Sequence, residues 1–175
     1  AVYRKLNWQV VKHTFASALI NTTMIFIIFC GSTAFSQILA FSGATKGIVE
    51  LAVHLPIPPL ALLICIMIVL LILGMFMDQM SIMMITLPIL MPVCNALEWN
   101  PIWFGLLVLI NMEIGMKTPP FGLCLFVMKG VVPPGTSMMD IYKSVAPFIL
   151  LDLLAMMIIM FFPPIALYLP SFMKY

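Results

Sequence analysis

Apolar residues run almost unbroken through most of this chain, and the polar residues that interrupt them mark where its elements begin and end. The first apolar stretch, residues 15–41, exceeds the roughly 20 residues that a helix needs to cross a bilayer. Asn21, Thr22, Thr23, Gly31, Ser32, Thr33 and Ser36 run through it. That mix of small and polar side chains predicts a helix packed against other helices. Ser42-Gly43 breaks it. In residues 43–56, Lys46, Glu50 and His54 recur every four positions on one stripe, which predicts a short interfacial helix.

Residues 59–96 read as helix–turn–helix. Leu60–Leu73 is apolar, Gly74-Met75-Phe76-Met77-Asp78 interrupts it, and Gln79–Val93 runs back with Pro88 and Pro92 inside. Each arm is short for a full span, so the pattern predicts a re-entrant hairpin that dips to mid-membrane and returns. Two ordinary spans meeting at Asp78 would also fit.

Residues 101–132 predict a transmembrane helix broken in the middle. Pro101 starts it, and Trp99 and Trp103 stand where an aromatic belt forms. The break is Gly115-Met116-Lys117-Thr118-Pro119-Pro120-Phe121-Gly122. Pro119 and Pro120 have no N–H, so the carbonyls of Gly115 and Met116 lose their helical partners, and Pro119 pushes Thr118 out of helical geometry. A second half-helix is expected from Phe121 to about Val132. Ser137–Lys143 reads as a short amphipathic turn or helix, and residues 144–169 as a last transmembrane helix with Pro163-Pro164 near its end.

Composition turns this pattern into a class. The 175 residues are 64% hydrophobic and 8% charged, with a mean hydropathy of +1.21, against about 25% charged residues in a soluble domain. The fold class expected is an all-α integral membrane protein. The net charge of +2 points to no nucleic acid, because the basic residues are scattered. Cys30, Cys65, Cys94 and Cys124 lie in apolar segments without metal-like spacing and read as buried, inert thiols. The chain begins at Ala1 without a methionine or a signal peptide, so a piece of something longer is expected.

Basic residues give an orientation. With the hairpin returning to its own side, Arg4, Lys5, Lys12, Lys129 and Lys143 share one face, and Lys46 and Lys174 the other. The bias puts the N-terminal end in the cytoplasm and the C-terminus outside.

Three constellations carry chemistry. Asp78 at mid-membrane depth is costly unless paired, wet or protonated. Flanked by Gly74 and Ser81, it suits a hairpin tip, where it caps the returning helix, binds a cation, or both. At the broken helix, the carbonyls of Gly115 and Met116 and the Thr118 hydroxyl are hard oxygen donors for Na⁺, while N–H groups opening the next half-helix suit an anion. Glu113 and Lys117 are an i,i+4 pair in the favourable order; they neutralise one another, or Lys117 meets an anionic substrate. Asn111, one turn before the break, is a further candidate, and Asp152 in the last span reads as a helix–helix contact.

Two stretches carry a resemblance. One is Gly74-Met75-Phe76-Met77-Asp78 with Leu87-Pro88-Ile89-Leu90-Met91-Pro92. The other is Asn111-Met112-Glu113-Ile114-Gly115 with Thr118-Pro119-Pro120-Phe121-Gly122-Leu123 and Leu125-Phe126-Val127. They resemble the C-terminal half of the large membrane subunit of tripartite ATP-independent periplasmic (TRAP) transporters, over nearly the whole chain and most strongly from about 70 to 130. The resemblance implies one inverted-repeat half of an ion-transporter-superfamily fold, with a re-entrant hairpin and a broken helix. It implies Na⁺-coupled uptake of an organic acid such as a C4-dicarboxylate across the bacterial inner membrane, with no cofactor beyond Na⁺ as coupling ion. The partners it implies are a small membrane subunit and a periplasmic substrate-binding protein. Carried over by motif, Asp78, Gly74, Ser81, Gly115, Met116 and Thr118 would line the second Na⁺ site, and Asn111, Pro119, Pro120 and Gly122 one wall of the substrate path, to which Lys117 is added as the contact for an anionic substrate. Lys117 departs from the family's general pattern.

Two other classes are weaker. An intramembrane aspartyl hydrolase needs two carboxylates sharing a proton, and Asp78 and Glu113 belong to different elements. A non-transporting scaffold or assembly subunit would need neither a broken helix nor a deep acid.

Overall fold

A computed structural model describes residues 7–120, 122–133 and 135–173, with residue 21 described by its main chain alone. Arg4, Lys5, Phe121 and Lys174, which enter the sequence reading, lie outside the described residues, as does the Asn21 side chain. Every regular element among the described residues is helical: α1 Trp8–Ser42, α2 Ala44–His54, α3 Pro59–Phe76, α4 Gln79–Ala96, α5 Pro101–Lys117, α6 Leu123–Val131, α7 Met138–Phe161, α8 Pro163–Leu167 and a 3₁₀ turn at Pro170–Phe172. Four of them, α1, α3, α4 and α7, are long and apolar enough to cross a membrane.

The core is built around α5. Its buried residues, Trp103, Phe104, Leu107, Val108, Asn111, Met112, Ile114 and Gly115, recur every three or four positions and form one continuous face. Asn100 starts the helix: its Oδ1 accepts the N–H groups of Ile102 at 2.9 Å and Trp103 at 3.3 Å, and Pro101 supplies the first helical position. Around this face pack Leu63, Met67 and Leu70 of α3, Ile82 and Cys94 of α4, and Met156 and Met160 of α7. Trp103 is one of the core residues, 8% exposed. Its indole N–H donates to the Ile159 carbonyl of α7 at 2.8 Å. The sequence reading put Trp103 in an interfacial belt; its polar edge finds a partner in the half-buried Ile159 carbonyl of α7.

The helical arms on either side of Asp78 are longer than the hydropathy pattern suggested. Each has 18 residues, about 27 Å at 1.5 Å per residue. Gly74 does not interrupt α3, which continues to Phe76. Gly74 is needed there because α5 crosses against its backbone. The arms do not close tightly on each other. An apolar cavity of about 250 Å³ separates them, lined by residues that include Leu70 and Leu73 of α3 and Ile89 and Leu90 of α4.

Proline shapes the outer helices. In α4, Pro88 has no N–H to offer the carbonyl of Met84, four residues earlier. The Ser32 hydroxyl of α1 donates to that carbonyl instead. The half-buried residues Ile28, Ser32, Ser36 and Leu39 form the stripe of α1 that meets its neighbours, whereas Thr22, Thr23, Gly31 and Thr33 face outward. Only part of the small and polar set therefore serves packing within this chain. In α7 the expected short turn and last span are one helix. The Ser137 side chain accepts the Asp140 N–H at 3.2 Å, the Asp140 carboxylate accepts the Ser137 N–H at 2.9 Å, and this capping box starts α7 at Met138. Pro147 is accommodated within α7, which ends at Phe161, where Pro163 drives Phe162 out of helical geometry.

The thiols differ from expectation. Cys94 is buried, but Cys30, Cys65 and Cys124 are exposed, Cys65 on the wall of the cavity between α3 and α4. Their segments are as apolar as the interior, so composition could not tell the two apart.

Candidate functional site

The centre of the candidate site is a crossing of two backbones. A methyl group placed on Gly74 would lie 3.2 Å from the Gly115 α-carbon, and one on Gly115 would lie 2.9 Å from the Gly74 α-carbon. Four residues before Gly115, the Asn111 amide donates to the Met67 carbonyl of α3 at 2.8 Å. Met67 pairs with Asn111 and Gly74 with Gly115, so both helices advance in the same sense and run parallel here. Their C-terminal ends emerge side by side.

Each chain leaves its helix within a turn of the crossing. After α3, Met77 turns to extended geometry and Asp78 caps α4, its Oδ2 accepting the Ser81 N–H at 2.9 Å. Asp78 is exposed. After α5, Thr118 is extended, with φ −94° and ψ 131°, as expected for a residue before proline. The chain passes through Pro119 and Pro120 to Gly122, whose φ of +46° a side chain rarely adopts, and α6 begins at Leu123. The turn carrying Asp78 and the break carrying Thr118 are thus neighbours at one end of the α3–α5 pair.

The donors at the break are more engaged than proline chemistry alone implied. The Gly115 carbonyl is not left empty: it accepts the Thr118 N–H at 3.1 Å. The Thr118 hydroxyl donates to the Ile114 carbonyl at 2.7 Å. Both oxygens keep a lone pair after these bonds. Pro120, four residues beyond Met116, has no N–H to return to the Met116 carbonyl.

The charged residues gather on one side of the break. Lys117 lies 2.9 Å from Glu113 Oε1 on its own helix and donates to Asp152 Oδ2 of α7 at 3.2 Å. The pairing with Glu113 follows from their spacing. Asp152 was legible only as a helix–helix contact, and its partner was not. Tyr142 of α7 also reaches the break, its hydroxyl donating to the Pro120 carbonyl at 3.3 Å; nothing in the local pattern signals that bond.

Asn111 is fully buried, and its Oδ1 has no hydrogen-bond partner. The structure therefore puts it in the interior between α3 and α5. Lys117 and Thr118 are half-buried, Pro119 and Pro120 are exposed, and Gly122 is buried against the Leu125 side chain. The Gly74–Gly115 crossing went unread in the sequence. Its signal was there, in two glycines within apolar helices, the residues that let backbones approach closely.

Comparison with known proteins points in one direction. Residues 1–165 match the family described as "Tripartite ATP-independent periplasmic transporter, DctM component". The chain is 32% identical over 170 residues to the C4-dicarboxylate TRAP transporter large permease protein of Rhodobacter capsulatus, covering 97% of this chain and 38% of that protein. It is 29% identical over 170 residues to the sialic acid TRAP transporter permease protein of Haemophilus influenzae, covering 97% and 27%. It is 28% identical over 168 residues to the ectoine TRAP transporter large permease protein of Halomonas elongata, covering 96% and 39%. The chain spans well under half the length of each of these relatives.

Proposed function

The chain belongs to the DctM-component family of tripartite ATP-independent periplasmic transporters, and on that premise we propose that it is the C-terminal half of a large permease subunit driving uptake of an organic acid with Na⁺. The observation that carries this reading is the Gly74–Gly115 crossing, which brings the C-terminal ends of α3 and α5 together beside the Asp78 carboxylate. Helix C-termini carry partial negative charge, and main-chain carbonyls are hard oxygen donors. Two such ends and one carboxylate make a place for a small cation.

In this reading Gly74, Asp78 and Ser81 form one side of the Na⁺ site, with Ser81 acting through its N–H on Asp78. Gly115, Met116 and Thr118 form the other. The substrate anion passes along Lys117, Pro119, Pro120 and Gly122, with the first N–H groups of α6 favouring its negative charge. Asn111 backs this wall from the interior. Although α3 and α4 are each long enough to cross, the resemblance assigns them to the re-entrant hairpin, and α5 and α6 to the broken helix, of one inverted repeat. The other repeat, a small membrane subunit and a periplasmic binding protein complete the carrier. It works in the bacterial inner membrane, with the N-terminal end of this chain cytoplasmic and its C-terminus periplasmic. The substrate class is an organic acid, with C4-dicarboxylates the first to test because relatives carry that name.

The test is uptake by the complete carrier, reconstituted in vesicles with its small subunit and binding protein. Labelled C4-dicarboxylates and sialic acid are supplied under an inward Na⁺ gradient. Accumulation should follow the gradient and collapse when K⁺ replaces Na⁺. Equal accumulation in both ions would overturn the reading.

A further inference from the structure

The break between α5 and α6 is held from outside by one helix at two points. The Tyr142 hydroxyl of α7 donates to the Pro120 carbonyl, and the Asp152 carboxylate of α7 accepts from the Lys117 ammonium. Positions 142 and 152 are ten residues apart on one uninterrupted helix, about 15 Å along its axis. Lys117 and Pro120 are three residues apart. The two ties therefore converge on the break from well-separated levels of α7.

The ties differ from the other ion pair at this place. Glu113 and Lys117 share a helix, and their contact would exist on α5 alone. It fixes nothing about where the end of α5 lies. Asp152 is on another helix, so its bond to Lys117 fixes the end of α5 relative to α7. An ammonium has three donors and serves both carboxylates at once. Met116 and Thr118, whose oxygens are assigned to the cation, flank Lys117 in the chain. A displacement of Lys117 displaces both.

We propose that Asp152 is a positioning residue for the cation site, bracing the break through Lys117 while Tyr142 braces it through the Pro120 carbonyl. This rests on the Na⁺-site reading above. It adds α7 as the helix that sets the shape of the site without contributing a ligand.

The experiment is a Na⁺ titration of thermal stability on the purified complete permease, since an ion that binds the native state raises its melting temperature. Asp152→Asn should raise the half-saturating Na⁺ concentration by about tenfold or more, the size expected when a supporting contact behind a ligand is cut. Asp152→Glu, which keeps the charge, should restore most of the affinity. Tyr142→Phe keeps the ring, removes only the tie to Pro120, and should shift the titration in the same direction by less. Lys117→Met combined with Asp152→Asn should titrate no worse than Lys117→Met alone. An Asp152→Asn protein that titrates like its parent, or single effects that multiply in the double variant, would overturn the brace. If the parent melts identically with and without Na⁺, the cation reading fails and the brace is judged separately. Melting temperatures of the Lys117 and Asp152 variants must then be non-additive if the brace exists, and additive values would dismiss it.

Discussion

Gly74 and Gly115 meet backbone to backbone, with no side chain between them, and this contact decides where two helix ends emerge. Around it the Asn111–Met67 hydrogen bond keeps α3 and α5 in the same sense, and the Met112 terminal methyl lies 4.0 Å from where a methyl on Gly74 would stand. A side chain on either glycine would push the helices apart and separate the Asp78 turn from the Thr118 break.

Gly115→Ala should therefore destabilise the complete permease by about 1–3 kcal/mol, the range for overpacking a tight contact. The atoms it meets are main chain and cannot rotate away. Gly31→Ala is the comparison: nothing lies within 4 Å of a methyl there, and alanine favours the helix by up to about 1 kcal/mol. Thermal melting of both variants in detergent checks the contrast, and equal melting temperatures would contradict the crossing.

Asp78→Asn separates two roles of one residue. Asparagine caps a helix about as well as aspartate, so the Ser81 N–H keeps its acceptor and α4 keeps its start. The negative charge is lost. Membrane insertion, and the melting temperature measured without Na⁺, should stay near the parent values, while the rise in melting temperature with added Na⁺ and Na⁺-dependent uptake into vesicles disappear. Normal uptake by this variant would remove Asp78 from the cation site.

Asn111 offers an unusual balance. Its amide gives one hydrogen bond to Met67, but its Oδ1 is buried without a partner. A net hydrogen bond contributes about 0.5–1.5 kcal/mol, and a buried unsatisfied acceptor costs about 1–3 kcal/mol. Asn111→Leu, of similar volume, should leave stability within about 1 kcal/mol of the parent because these terms offset. Asn111→Ala removes packing as well and should cost about 1–3 kcal/mol more. Denaturation of the two variants side by side is the check.

Gly122→Ala tests the geometry of the break. A residue with a β-carbon in the left-handed region costs about 1–2 kcal/mol, and the new methyl would lie 2.8 Å from Leu125 Cδ1. The entry into α6 should loosen. Proteolysis or hydrogen exchange should show faster opening of residues 123–131 than of α5.

Much of the fold was legible because hydropathy, proline and glycine act locally. Ser42-Gly43 separates α1 from α2, and the Gly43 φ of +75° shows the reason. The Pro119-Pro120 break and the Asp78 cap fall where the residues require them. Features that depend on two distant segments were hidden. The Trp103 indole bonds to a carbonyl on α7 that no local pattern announces. Gly74 read as an interruption until Gly115 approached it. Lys117 had a visible partner four residues back and an invisible one on α7. The pattern also divided one helix in two, because the Ser137–Asp140 box starts α7 at Met138, ahead of the long apolar run.

The serine–carbonyl contact between α1 and α4 has a consequence for how a nearly all-apolar chain chooses among its possible arrangements. Greasy faces match one another almost equally well, so hydrophobicity alone leaves the rotation and depth of a long helix undecided. Pro88 removes that indifference, because it strips the Met84 oxygen of its donor at one height and on one side of α4. A helix presenting a hydroxyl at that height and on that side repairs the loss, as Ser32 does. The azimuth of α1 is thus written into its neighbour by a proline, and a single polar atom supplies the address that the apolar ones could not.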